Sequence, residues 1–400
     1  MPWVARILPL LLLAYFYCGW KLYHSAIHLL PVKIEHLKWY MVAAAGYLNL
    51  HLMVLLVLEL LGFKGVAKSL REGNWFWDLL FVYPFWVGII IVVELLPWLL
   101  AVDVLKLPFY PFVKRFRVTW LDIQSKVVLG MFLFLTVYVL LRVIVDTTRI
   151  RVSQVTLAYR NLPAALDGLK IVHISDLQAD ARTRKWRIVR YIKKANKLNP
   201  DLVFFTGDLV TSGIKYIEVG AQALGKLQTK YGAYACLGDH DYWSNASKIA
   251  KSLETHGVKV FEDTNQFIRV GSDSLLVTFV TNVYSKRPTL DSLNYLMGQQ
   301  PRGVLDIFVT HQPSETLVEQ AAERGYHLFL TGHTHGGQVV FRPFGIALTA
   351  PRFESPYYKG TYQVDRMFLS INHGLGLTLA PIRYRAPAEI TCIKLVRPTR

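Results

Sequence analysis

Five short segments carry side chains that could do chemistry together: Asp176-Leu177-Gln178, Gly207-Asp208, Gly238-Asp239-His240-Asp241, Thr310-His311 and Gly332-His333-Thr334-His335. Between them they supply carboxylates, imidazoles and one amide, the donors that hold hard and borderline divalent cations. Such a set suffices for two ions that share one bridging carboxylate. Two ions about 4 Å apart clamp a phosphoryl group and acidify a water near neutral pH. A Gly-Asp dipeptide alone is often just a turn. Five such segments in this order point to a site.

The elements that must position these segments can be read from the surrounding chain. Each segment follows a short β-like run: residues 169–175, 201–206, 232–237, 306–310 and 327–331. The carboxyl ends of neighbouring strands gather in space, so the five segments can converge on one cleft. Helical stretches at 181–198 and 217–230 alternate with the runs, and Asn199-Pro200 closes the first of them. Further β-like runs lie at 258–261, 267–270 and 275–280. From about Arg151 onward the texture is α/β, and it predicts a sandwich of two sheets flanked by helices.

In their order and spacing the motifs resemble the calcineurin-like metallophosphoesterase superfamily, whose pattern is Asp-x-His, Gly-Asp, Gly-Asn-His-Asp/Glu, His, Gly-His-x-His. The likeness runs over residues 168–396. It includes His333-Thr-His-Gly-Gly-Gln338 and a tail from Asn372-His-Gly-Leu-Gly376 through Pro381-Ile-Arg383 to Pro387-Ala-Glu389-Ile390. Those extras are similar to a membrane-associated bacterial phosphodiesterase branch that includes a UDP-2,3-diacylglucosamine pyrophosphatase of lipid A synthesis. The resemblance implies a two-sheet α/β sandwich and two divalent metal ions. One ion would be bound by Asp176, Gln178, Asp208 and His335. The other would take Asp208, Asp239, His311 and His333, with Asp208 bridging. His240 would face the phosphoryl group as a catalytic residue, and Asp241 would orient its ring.

Two positions depart from that pattern. Gln178 stands where the superfamily has histidine, and Asp239 where it has asparagine. Both changes make the site richer in oxygen, which shifts preference towards Mn²⁺ or Mg²⁺ and away from Zn²⁺; Mn²⁺ is the expected ion, with Mg²⁺, Co²⁺ and Zn²⁺ as the other candidates. A branch that hydrolyses ADP-ribose and CDP-alcohols with Mn²⁺ is similar at this glutamine. A decayed, inactive site is the competing reading of the same two changes.

The first 150 residues read differently. Of the 400 residues, 52% are apolar and 18% charged, which excludes a disordered chain and argues against a purely soluble one. Long apolar runs at 7–20, 40–63, 75–102 and 127–145 approach or exceed the length that spans a bilayer. Residues 1–150 therefore read as an all-α transmembrane domain of about four helices, and residues 151–400 as the metallophosphoesterase domain. Pro84 and Pro97 break the third run, which predicts a kink or two half-helices. Lys106 to Arg117 interleaves aromatic and basic residues, a composition suited to a headgroup layer. His51, Glu59 and Glu94 fall inside the apolar runs, where helix–helix pairing or a polar cavity would accommodate them. Flanking basic residues divide almost evenly between the two faces, so they fix no orientation.

The net charge of +17 suits an anionic partner, either a phosphate ester or a membrane face. No basic groove signature runs through the chain, and no nucleic-acid partner is expected. Three scattered cysteines form neither a disulfide framework nor a metal cluster. His173 reads as a core residue, His327 as the start of a strand with no catalytic part, and Cys236 as a packed side chain. The basic stretch from Arg182 to Lys197 is either a solvated helix face or a surface for an anion. Asn245-Ala246-Ser247 fits a glycosylation sequon.

These readings converge on a membrane-anchored dinuclear phosphohydrolase acting on a phosphodiester or diphosphate of a membrane lipid or lipid-linked substrate, such as a nucleotide-linked lipid precursor. The expected location is a bacterial inner membrane, multi-pass, with the catalytic domain facing the cytoplasm. A phosphodiesterase of soluble nucleotides and a non-catalytic receptor or scaffold are the alternatives. Oligomeric state is not legible.

Overall fold

The computed structural model describes residues 2–30, 36–298 and 305–398. The chain divides into two compact units, one of residues 1–145 with 340–348 and the other of residues 146–339 with 349–400.

The first unit is helical. Among the described residues, Leu37–Leu60, Trp75–Leu105 and Arg117–Thr148 are long and apolar enough to cross a membrane. The first apolar run lies in the helix Pro2–Leu29, which is not one of those three. Its second half carries Lys21, His24, Ser25 and His28, and Lys21 pairs with Asp103. At the third run Asn74 caps the helix start, its side chain accepting from the Phe76 and Trp77 amides. A single π-helical turn, Asp78–Val82, then leads into Tyr83–Leu105. Pro84 follows directly on that turn, whose wider register suits a residue without an amide proton. The segment thus continues as one helix across Pro84, and Pro97 sits inside it. Two ionisable residues within the apolar runs have partners. His51 accepts from the Trp77 indole at 2.9 Å, and Glu59 pairs with Arg71 at 2.7 Å.

Among its described residues the second unit contains twelve strands: β1 (Ile150–Ala158), β2 (Lys170–Ile174), β3 (Leu202–Thr206), β4 (Ala233–Cys236), β5 (Val258–Val260), β6 (Thr264–Val270), β7 (Asp273–Phe279), β8 (Asp306–Val309), β9 (Leu328–Thr331), β10 (Gly360–Val364), β11 (Met367–Ile371) and β12 (Ala388–Val396). One sheet has the order β1-β12-β2-β3-β4-β5 and the other β10-β11-β9-β8-β7-β6. Strands β2 to β5 run parallel, as do β7, β8, β9 and β11. The facing sides of the two sheets share one core, with Ile171, Phe204, Val277, Ile307 and Leu330 fully buried in it. The outer face of the first sheet is covered by the helices Lys185–Asn196, Ile217–Leu224 and Ala246–Thr255. Leu290–Gly298 and Glu315–Glu323 cover the second. The two-sheet α/β sandwich is thus present. With both faces covered, β3, β8 and β9 are buried along their whole lengths and mostly apolar, as suits parallel central strands.

Candidate metal centre

Every expected ligand lies just beyond a strand end, in a loop or, for Asp239 and His335, at the first residue of a short helix. Asp176 and Gln178 follow β2, Asp208 follows β3 and Asp239 follows β4. His311 follows β8, and His333 and His335 follow β9. Donor atoms of Asp239, His311 and His333 lie within 4.8 Å of one another, as do those of Asp176, Asp208 and His311. His311 Nε2 sits between Asp208 Oδ2 at 3.5 Å and Asp239 Oδ2 at 3.4 Å. His333 Nδ1 is 3.0 Å from Asp239 Oδ2, and His335 Nε2 is 3.4 Å from Asp176 Oδ1. Gln178 Nε2 donates to Asp208 Oδ2 at 2.8 Å.

The turns that achieve this are strained. Asp176, Gln178, Asp208, His333 and His335 all take left-handed backbone angles, with φ of 49°, 47°, 63°, 68° and 50°. A non-glycine residue held there costs about 1–3 kcal/mol, and such residues cluster where function requires them. Cross-loop hydrogen bonds offset the strain: Asp176 N to Gly207 O at 2.9 Å, Gln178 N to Asp208 O at 3.0 Å and Gly332 N to His311 O at 3.0 Å. The glycine of Gly332-His333 is required by close approach, since a Cβ there would collide with Ser175 Oγ and reach 2.6 Å from Asp176 Oδ2.

Without a cation, protons carry the compensating charge. Burial alone would raise the Asp239 carboxyl, yet the neighbouring His311 and His333 imidazoles hold it far below the usual carboxylate range. Burial acts the same way on Asp208, and the His311 charge overcomes it to bring the group to about 2. Burial would push His311 down, but Asp208 and Asp239 hold it well above an ordinary histidine. Asp176 is raised by burial to about 6. His335 is held well below the usual value by burial and by the nearby Arg383 charge, so its ring is neutral and available as a donor.

The side chains fit divalent ions. Asp176 Oδ1, Gln178 Oε1, His311 Nε2 and His335 Nδ1 are buried with no hydrogen-bond partner. Buried polar atoms are almost always partnered. Four unpartnered donors on three of the five loops that should hold metals are what a cation site requires. The Gln178 geometry is consistent with its departure from histidine, because its amide nitrogen is engaged by Asp208 and its oxygen is left free.

His240 is held differently from the expectation. Its Nδ1 donates to the Thr211 carbonyl at 2.6 Å, and Thr211 Oγ1 in turn donates to Asp180 at 2.9 Å. A carbonyl can only accept, so Nε2 is the atom free to give or take a proton. Asp241 does not orient the ring. Its carboxylate accepts from the amides of Asp208 and Leu209 at 2.8 Å and of Gly238 at 2.9 Å. Asp241 thereby fixes the loop that carries the bridging carboxylate, and burial beside Asp208 pushes its own acid up to about 7. Sequence reasoning missed several supports. Gln312 Nε2 donates to Asp239 Oδ2 at 2.7 Å and the Tyr284 amide to Asp239 Oδ1 at 2.7 Å. The Tyr284 hydroxyl donates to Glu354 at 2.8 Å. Gln312 was findable as the neighbour of His311, whereas nothing local marks Thr211 or Tyr284.

The remaining candidates are structural. His173 lies between Ser370 and Thr206 hydroxyls, and burial lowers it to about 3. His327 Nδ1 accepts from the Asp306 amide at 3.1 Å. Burial pushes the Cys236 thiol up to about 12, so it is no nucleophile. Asn245 caps the helix Ala246–Thr255 by accepting from the Lys248 amide at 2.9 Å. The basic helix Lys185–Asn196 buries Ile188, Tyr191, Ile192 and Ala195 against the sheet.

Residues 169–337 match the family model of the calcineurin-like phosphoesterases. Over 250 residues the chain is 28% identical to the uncharacterized metallophosphoesterase YkuE of Bacillus subtilis (strain 168), covering 62% of this chain and 85% of that protein. It is 28% identical over 258 residues to a transmembrane protein with metallophosphoesterase domain of Danio rerio, covering 61% of this chain and 57% of that protein. An uncharacterized metallophosphoesterase of Aquifex aeolicus (strain VF5) is 24% identical over 255 residues, covering 62% of this chain and 93% of that protein.

Proposed function

We propose that this chain, which carries a calcineurin-like metallophosphoesterase domain and apolar helices long enough to span a bilayer, is a membrane-associated, metal-dependent phosphoesterase that hydrolyses a phosphodiester or diphosphate bond of a lipid-linked substrate, such as a nucleotide-linked lipid precursor, with Mn²⁺ as the preferred ion. The observation that carries the chemistry is the set of buried donors without partners on Asp176, Gln178, His311 and His335. Two divalent ions held by Asp176, Gln178, Asp208, Asp239, His311, His333 and His335 would supply charge for the phosphoryl oxygens and an acidified water. Asp208 stands between the two halves, within reach of both Gln178 and His311.

His240 is the one imidazole of the site not engaged with a neighbouring carboxylate at hydrogen-bond distance. Its Nε2 is 4.0 Å from Asp208 Oδ2, and the ring packs edge-on against Trp243 at 4.9 Å between centroids. It presents Nε2 where the phosphoryl group would lie. When protonated it stabilises the developing charge and passes its proton to the leaving oxygen. Thr211 keeps the other nitrogen occupied throughout.

One feature supports a lipid-linked substrate: the same chain carries apolar helices long enough to span a bilayer and the metal-ligating residues. Such tethering raises the local concentration of an amphiphile that need not leave the membrane. A nucleotide-linked precursor further requires the domain on the cytoplasmic side. The test is to incubate the purified full-length chain in detergent with total membrane lipids and Mn²⁺, and to identify consumed species by mass spectrometry. Depletion of a lipid phosphodiester or diphosphate, with a deacylated analogue turned over more slowly, is the expected result. Equal turnover of lipid and deacylated forms would make the helices a mere anchor.

A further inference from the structure

Arg383 heads the fully buried side chains by size, at 1% exposure, and nothing in the metal centre described above gives it a task. Its guanidinium donates to five backbone carbonyls. Nη1 reaches His335 O at 3.3 Å and Ala386 O at 2.9 Å. Nη2 reaches His373 O at 3.0 Å, Gly374 O at 3.1 Å and Gly376 O at 2.6 Å. None of these acceptors is a carboxylate. A buried charge is costly unless it is fully compensated, and here carbonyl dipoles supply the compensation. Arginine is the residue able to do this, because the two terminal nitrogens of its planar fork offer four hydrogens in fixed directions where lysine offers three on one atom; all five carbonyls are served by Nη1 and Nη2, and Nε is buried without a partner.

Four of the five acceptors, all but Ala386 O, lie on two pieces of chain beside the ligands of the first metal. One is His335 itself. The other is the turn 373–376, which rests directly on the loop of Asp176 and Gln178. Leu375 N donates to Ser175 O at 3.0 Å, and Gly376 N donates to Asp176 O at 2.7 Å. The contact is so close that a Cβ on Gly374 would lie 2.7 Å from Asp176 Cβ, and one on Gly376 2.5 Å from Gln178 Cβ. Asn372 secures the turn, its Nδ2 donating to His173 O at 3.0 Å and its Oδ1 accepting from Gly374 N at 2.9 Å. The second metal's ligands are held otherwise. His311 Nδ1 donates to Thr206 O at 2.7 Å, and Asp239 is fixed by Gln312 and Tyr284.

We infer that Arg383 is a positioning residue for the first metal alone, aligning His335 directly and Asp176 with Gln178 through the 373–376 turn. This rests on the dinuclear reading above, and it gives the tail motif from Asn372 to Arg383 a purpose.

The experiment is titration of metal-stripped full-length chain with Mn²⁺, followed by calorimetry and by electron paramagnetic resonance. Wild type, Gln178→Ala, Arg383→Lys and Arg383→Met are compared. In Arg383→Lys the first-metal affinity should fall by roughly 10–100-fold, the usual effect of removing a group that orients ligands, with second-metal affinity unchanged. The exchange-coupled signal of the Mn²⁺ pair should give way to a mononuclear signal matching Gln178→Ala. Arg383→Met should show a larger loss of the same kind; if it does not fold, Arg383→Lys alone decides. Equal weakening of both metals, or two unchanged affinities, would overturn the assignment. A wild type that binds one Mn²⁺ would instead overturn the dinuclear reading on which it rests.

Discussion

The two halves of the metal centre are built in opposite ways. Around the second metal, Asp239 accepts from Gln312, from the Tyr284 amide and from His333, and its charge is stabilised far below the ordinary range. Around the first, Asp176 Oδ1, Gln178 Oε1 and His335 Nδ1 have no partners, and the Asp176 acid is raised to about 6. One half is already neutralised by imidazole protons. The other is a set of uncommitted donors held in place by backbone strain and by the tail. The difference teaches that a cation entering the second half must expel protons, whereas one entering the first half fills an electrostatic gap.

The largest expected effect is the one that abolishes this comparison. Asp208 serves both halves, so Asp208→Asn should remove turnover and bound metal together, measured by elemental analysis beside a phosphodiesterase assay. Next comes His240→Ala, which should lower turnover by on the order of 10²–10⁴ while both metals stay bound. Loss of metal in that variant would make His240 a ligand, against the 4.0 Å that separates its Nε2 from Asp208.

The pH dependence of metal affinity sharpens the comparison. Burial works against the charged form of His311 and His333, yet the carboxylates beside them, Asp208 and Asp239 for the first and Asp239 and Glu354 for the second, raise both, so these imidazoles hold their protons more tightly than an ordinary histidine does. Metal binding expels them, and affinity must therefore rise with pH and be lost as pH falls. The expected slope is about tenfold per pH unit for each proton expelled, read by calorimetry in buffers of different ionisation enthalpy. An affinity independent of pH between about 6 and 8 would show that the second half is not occupied by protons.

The smallest effects concern Gln178. Gln178→Ala should raise the Mn²⁺ concentration needed for half-maximal rate without changing the second half. Gln178→His should restore a nitrogen donor and move the metal optimum towards Zn²⁺ or Co²⁺ with turnover retained. An unchanged Mn²⁺ dependence in Gln178→Ala would remove Gln178 from the ligand set.

How much of this was legible depends on range. The ligand turns were readable because each follows a strand marked by a continuous apolar run, as in Leu202–Thr206, and because their residue types leave few alternatives. β1 was not, since Ile150–Ala158 alternates polar and apolar residues and its partner β12 lies over two hundred residues away. Asp241 was misread because its neighbour in sequence is His240, while its carboxylate is turned towards the amides of Gly238, Asp208 and Leu209. Thr211 reaches His240 through a main-chain carbonyl, a role that any residue type could fill and that leaves no trace in composition. The left-handed angles at five ligand positions are likewise invisible locally, because they are imposed by cross-loop hydrogen bonds.

The central claim, a dinuclear hydrolytic centre with two unlike halves, is tested most directly by adding Mn²⁺ stepwise to metal-stripped full-length chain while following binding and phosphodiester hydrolysis in the same sample. The account requires two ions per chain, a release of protons confined to the ion entering the half of His311 and His333, and turnover that appears only when both are bound. Full turnover with one ion per chain, or two ions that bind with identical proton release, would contradict it.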